Sequence, residues 1–149
     1  MEEIDYAWKL HLLGYKNYVE PKSVIYHDGG EFSTSNFFKS YYNHRNSLIL
    51  FLSNHNLIFM GILLLPKILL EIISLVRYLF LLNFNGIIAQ LSSIMWILSH
   101  PLYMIKRIIK INKLKRKPLY SIIRKMYKPS IVITYFIFLK KKFSDLSIG

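Results

Sequence analysis

The chain has 149 residues, a net charge of +12, 53% hydrophobic residues and no cysteine. That length suits one ordinary domain with a real core, and the missing cysteine excludes disulfides and thiolate metal sites. The acidic start, where a secretory signal would be basic and then apolar, argues against such a signal.

Glu2 to Leu13 reads as a helix. Ile4, Trp8 and Leu12 share a face at i, i+4, i+8, and Gly14 stands where a left-handed C-cap belongs. Glu2, Glu3 and Asp5 fall in its first turn, where the helix dipole favours negative charge. The chain then reads as extended, interrupted by Pro21, with a short strand over Ser23 to His27 and a turn at Asp28-Gly29-Gly30. A second helix is expected from Ser33, Thr34 or Ser35 as cap, carrying Phe38, Tyr41 or Tyr42, Arg45 and Leu48 or Ile49 at helical intervals and broken at Asn54-His55-Asn56. Trp8, Phe37 and Phe38 read as core.

From Leu57 to Leu82 the sequence is mostly apolar but contains Pro66, Lys67, Glu71 and Arg77; Tyr78 to Ile105 carries no Asp, Glu, Lys or Arg. A membrane span needs about 20 largely apolar residues. With its charges and proline, the first stretch reads as interfacial rather than spanning, Lys67 and Glu71 pairing at i, i+4. Thirteen of the twenty bases lie between Lys106 and Lys142, a stretch with no acid, whereas six of the eight acids precede residue 32. Bases interleaved with Ile, Leu, Met and Tyr suit an anionic membrane surface, with the tail on the cytoplasmic face, and not nucleic acid. That tail reads as two or three basic amphipathic helices, one entered at Pro118. Three regions result: 1–52, apolar membrane-associated helices over 53–105, and a basic helical tail over 106–149.

The first fifty residues resemble the C-terminal part of the catalytic domain of family 2 glycosyltransferases of the GT-A fold, of the rhamnosyltransferase-like and galactofuranosyltransferase-like kinds. The resemblance rests on Glu2-Glu3-Ile4-Asp5-Tyr6, Lys9, Leu13-Gly14-Tyr15, Tyr26-His27, Gly29-Gly30 and Tyr41-Tyr42-Asn43-His44-Arg45-Asn46, in order and at compatible spacing. It implies an α/β remnant of a GT-A domain over residues 1–52, followed by the helical apolar and basic region. It also implies transfer of a sugar from a nucleotide-sugar to a glycan or lipid-linked acceptor. Such chemistry needs a carboxylate base for the acceptor hydroxyl, and a divalent metal (manganese or magnesium) with cations for the leaving diphosphate.

By resemblance Glu3 takes the base position with Glu2 and Asp5 beside it, and His27 the metal position. Arg45, Trp8, Lys9 and Tyr42 are then neighbours of substrate and diphosphate. Two residues depart from the pattern: Glu3 stands where Asp is usual, and Lys9 where Arg is usual, so a bidentate contact becomes a point charge. His11, His44, His55 and His100 are scattered, which speaks against zinc. There is no Asp-x-Asp motif and no Gly-rich phosphate loop. The chain is therefore expected to be a fragment, inactive alone, whose nucleotide-binding half lies upstream or on a separate chain. The rival expectation is a small basic membrane-binding protein without catalysis.

Overall fold

The computed structural model describes residues 2–18, 20–26, 36–118, 120–121, 134–135, 138–140 and 142. The described residues form five helices: α1 (Glu2–Leu13), α2 (Asn36–Asn54), α3 (Leu57–Phe80), α4 (Phe84–Ser99) and α5 (Pro101–Leu114). They contain no strand. The α/β expectation for the first fifty residues is thereby corrected. Residues 23–26 belong to no helix or strand and are exposed, Tyr26 to 94%. A strand is held by ladder hydrogen bonds to a neighbour, and none of the described backbone supplies one. His27 and the Asp28–Gly30 turn lie outside the described residues, as do Ser33 to Ser35.

The chain divides into two compact units, residues 1–117 and 118–149. In the second, Ser121 closes a turn by donating its backbone N–H to the Pro118 carbonyl (3.0 Å), and Lys140 donates to that of Thr134 (3.2 Å). Most of its remaining residues, and with them most of the predicted tail helices, lie outside the described set.

Helix α1 ends as its sequence predicts. Gly14 has φ +94°; its N–H reaches the His11 carbonyl (3.0 Å), and the Tyr15 N–H reaches that of Leu10 (2.9 Å). This paired ending is the Schellman arrangement, which ties up carbonyls left over at a helix end. The Leu12 carbonyl accepts from the N–H groups of Arg116 (2.9 Å) and Lys117 (3.0 Å), so the chain after α5 closes the end of α1. Leu12 is wholly buried and Trp8 is half-buried, whereas Ile4 and Phe38, expected on inward faces, are about half exposed.

The same ending recurs after α3 without a glycine. Leu82 sits at φ 50°, its N–H bonded to the Leu79 carbonyl (3.0 Å) and the Asn83 N–H to that of Tyr78 (2.9 Å). Left-handed backbone costs a branched residue roughly 1–2 kcal/mol. Leu82→Gly is therefore expected to raise stability by up to about 1 kcal/mol, read as a higher unfolding midpoint in detergent. An unchanged or lower midpoint would mean that the leucine side chain contributes as much as its backbone strain costs.

Asn56 and Asn83 cap α3 and α4, each side-chain oxygen accepting a backbone N–H, from Phe59 (2.8 Å) and Gly86 (2.9 Å). Pro66 was expected to break the apolar stretch, yet α3 runs through it as one 24-residue helix. This helix is long and apolar enough to cross a membrane. Helices α4 and α5 meet at a 76° bend around His100-Pro101. Helix α2 packs most extensively on α4 and also touches α5, while α3 leans on α4.

The distribution of side chains is inverted relative to a water-soluble bundle. On α3 every exposed residue from Leu57 to Val76 is apolar, while Lys67, Glu71, Ser74 and Tyr78 turn towards the other helices. On α4 the buried residues are Gly86, Ala89, Gln90 and Ser93, at i, i+3, i+4, i+7, and Ile88, Leu91, Met95 and Leu98 face outward. Small residues permit close approach: a Cβ at Gly86 would stand 2.6 Å from the Tyr78 ring. Among the described residues few large apolar side chains are buried, chiefly Leu12, Ile49, Met104 and Ile111.

Candidate functional site

Helical spacing places Glu2 and Asp5 on one side of α1, and the packing of α2 and α5 brings further charges to meet them. A cavity of about 370 Å³ is lined by Glu2, Asp5, Arg45, Asn46, Ile49, Leu50, Trp96, Tyr103 and Arg107. Four helices contribute. Glu2, Asp5 and Arg45, which the family resemblance grouped, thus share one concavity although 40 positions separate Asp5 from Arg45.

Arg45 is held from several sides. Its guanidinium carbon lies 5.4 Å from the Tyr41 ring centre, 4.8 Å from that of Tyr42 and 5.1 Å from that of Trp96. Its Nε and Nη2 donate to the Asn46 side-chain oxygen at 3.1 and 3.0 Å. Cation–π contacts and a fixed fork keep the charge in place without neutralising it. Tyr42 therefore acts on Arg45 and is not itself among the residues lining the cavity.

Asp5 carries an ion pair with Lys9 one turn on, and it accepts from Nη2 of Arg107 at 2.8 Å. Arg107 is steadied in turn by donating Nε to Ser53 Oγ (3.1 Å), whose own hydroxyl donates to the Ile49 carbonyl (2.7 Å). Burial pushes the Asp5 carboxyl up, but the hydrogen bonds and charges of Lys9 and Arg107 outweigh it and hold it below the usual carboxylate range. A carboxylate so held is a weak proton acceptor. Its task in this arrangement is to fasten α1 to α5.

The pH dependence follows. Because the folded carboxyl is depressed, its stabilisation is complete above the ordinary Asp value of about 3.9 and is lost as pH falls through the lower folded value. The unfolding midpoint of the native chain should exceed that of Asp5→Asn by a constant margin above about pH 5, and the margin should shrink below about pH 4. A margin that does not change with pH would show that the carboxylate's charge is irrelevant.

The remaining sequence-predicted residues lie elsewhere. Glu3 is exposed and is not among the lining residues, and Lys9 serves Asp5. Trp8 faces His55, ring centres 5.5 Å apart, and lines a neighbouring cavity of about 190 Å³ with Ile4, Leu50, Phe51 and Lys67. His27 lies outside the described residues. Among the described residues no group of three His, Asp or Glu side chains is placed to hold a metal ion. Glu2 and Asp5 share their cavity with two guanidinium groups, which oppose a second cation. The described donors do not fit a divalent metal.

Sequence reasoning missed Arg107, Trp96 and Tyr103, and it placed Asn46 in the motif without giving it a role. Arg107 was hidden in the basic run; the available signal was its spacing one turn after Tyr103, on a helix whose Met104 and Ile111 are buried.

A second polar cluster joins the middle of the helices. Glu71 accepts from Lys67 (2.7 Å), from the Gln90 amide (2.7 Å) and from His44 Nδ1 (3.1 Å). With Nδ1 donating, Nε2 of a neutral His44 accepts from the Tyr78 hydroxyl at 3.3 Å. The Gln90 amide also donates to the Glu71 backbone carbonyl (2.8 Å), and Lys67 donates to Ser47 Oγ (2.9 Å). The Lys67–Glu71 pair was expected from its spacing; His44 and Gln90 were not. Comparison of the chain with protein families, curated proteins and solved structures finds no match.

Proposed function

We propose that this chain is a membrane-associated part of a glycosyltransferase, held at the cytoplasmic face of a bilayer by α3 and α4. Its polar cavity receives the polar end of a nucleotide-sugar or of a glycan or lipid-linked acceptor. The observation that carries the reading is the convergence of Glu2, Asp5 and Arg45 on one cavity beside Arg107. These residues had been connected only by the family resemblance. The inverted side-chain distribution of α3 and α4 supports the bilayer, since helices packing in lipid bury small and polar residues and turn large apolar ones outward. The acid-free run of bases from Lys106 to Lys142 supports the cytoplasmic, anionic surface.

The geometry divides the labour among the carboxylates. Asp5 is engaged by two cations, whereas Glu2 lines the cavity, its own carboxyl also held below the usual carboxylate range by hydrogen bonds and nearby positive charge; its position at the cavity makes it the acceptor to test. The family resemblance favours Glu3. Sugar transfer from nucleotide-sugars to lipid-extractable or polymeric product should be measured in membranes holding this chain together with a separate nucleotide-binding half. Removing the base should lower transfer roughly 10²–10⁴-fold. Loss with Glu2→Gln and retention with Glu3→Gln would assign the role to Glu2, and the reverse pattern would restore the resemblance. No transfer with any nucleotide-sugar, from a chain that still binds vesicles, sinks the glycosyltransferase reading. It would leave the second one, a membrane-binding protein without catalysis, which the occupied state of Asp5 favours.

A further inference from the structure

The polar cavity is one end of a series. It shares Leu50 with the small cavity beside Trp8, and that one shares Phe51 and Lys67 with a third between α2, α3 and α4. The third is about 300 Å³, and its walls are mainly apolar, among them Leu48, Leu52, Leu64, Ile68 and Ile94, with the mutually bonded Lys67, Glu71 and Gln90 also lining it. Character changes along the series, from two guanidinium and two carboxylate groups with Trp96 and Tyr103, through Trp8 and Lys67, to a mainly aliphatic wall in which Lys67 and Gln90 are bonded to Glu71.

The geometry points to a binding site for an anionic single-chain amphiphile, a lipid phosphate. Its head lies between Arg45 and Arg107, and its hydrocarbon chain lies in the apolar cavity between α2, α3 and α4. Three features fit that occupant, and the third sets it apart from a free sugar or nucleotide. Arg45 is fixed by three rings yet keeps its charge, as phosphate recognition requires. Trp96 and Tyr103 stand beside the cations, the pairing typical of headgroup depth. The apolar cavity is walled on one side by Leu64 and Ile68 of α3, both also exposed on the outer apolar surface, so a chain in lipid reaches it without crossing water. The inference rests on the membrane placement proposed above and narrows the ligand of the same site from polar molecules in general to lipid-linked ones.

The test uses the full chain in amphipol with radiolabelled dodecyl phosphate, competed by butyl phosphate and by dodecanol. Dodecyl phosphate is expected to bind about a hundredfold more tightly than butyl phosphate, because the added methylenes leave water. Ile68→Trp and Leu48→Trp, on opposite walls, should each weaken dodecyl phosphate about tenfold while leaving butyl phosphate unchanged. Arg45→Gln should weaken both phosphates and leave dodecanol alone. Equal affinity for the two phosphates would overturn the chain site on the native protein alone, whatever the tryptophan variants do to folding. Equal loss of dodecanol and dodecyl phosphate on Arg45→Gln would overturn the placement of the head. Retained binding to vesicles alongside either negative result would sink this inference and leave the membrane reading standing.

Discussion

Glu71→Leu is expected to be the most damaging single change, lowering stability by about 2 kcal/mol, less than the roughly 3–5 kcal/mol of a fully buried pair because this one is part-buried. Glu71 gathers Lys67, His44 and Gln90, so its loss leaves the Lys67 ammonium with only Ser47 and the Gln90 amide with only the backbone carbonyl of residue 71. The measurement is detergent or urea unfolding followed by helical signal. Lys67→Met combined with Glu71→Leu should recover most of the loss, since apolar replacements of similar volume leave no unpaired charge. A double variant as unstable as Glu71→Leu alone would assign the effect to His44 and Gln90 and not to the ion pair.

The second large effect concerns the bilayer. Leu69 and Ile73 lie on the outer face of α3, away from the polar cluster and exposed. Leu69→Asp with Ile73→Asp should cost about 3 kcal/mol per substitution at the centre of a membrane helix, enough to abolish flotation with vesicles. Because neither residue packs inside, helical content should survive. The native chain should float with anionic vesicles and less with neutral ones, and high salt should narrow the difference by screening the bases of α5 and beyond. Flotation of the double aspartate variant equal to that of the native chain would place α3 outside the lipid. Equal recovery on neutral and anionic vesicles would remove the contribution of the basic run, and a soluble native chain that floats with neither would end the membrane assignment.

Legibility in the sequence follows the range of the interactions. Helix α1, its acidic first turn and its Gly14 ending were readable because capping, dipole and glycine signals lie within a few residues of one another. The ending after α3 uses the same hydrogen bonds but has Leu82 at the left-handed position, so no glycine announced it. Residues 23–26 have the β-branched and aromatic content of a strand, yet strand formation depends on a partner elsewhere in the chain, which the described backbone does not provide. Pro66 reads as a breaker locally. Within a long apolar helix a proline forfeits only the hydrogen bond its missing N–H would make, and the flanking turns carry the helix through.

By itself the sequence determined the apolar character of the α3 region, the Lys67–Glu71 spacing, the separation of acidic and basic ends, and the helical character of α1 and α2. These are set by neighbours within one or two turns. Only the tertiary structure decided that Asp5 belongs to Arg107, that Glu71 is also held by His44 and Gln90, and that Glu2 rather than Glu3 lines the cavity with Arg45. It also decided that α4 buries its small residues and exposes its large ones. The reason is physical: periodicity defines the faces of a helix, but which face turns inward depends on the partner it meets and on whether water or lipid surrounds the rest.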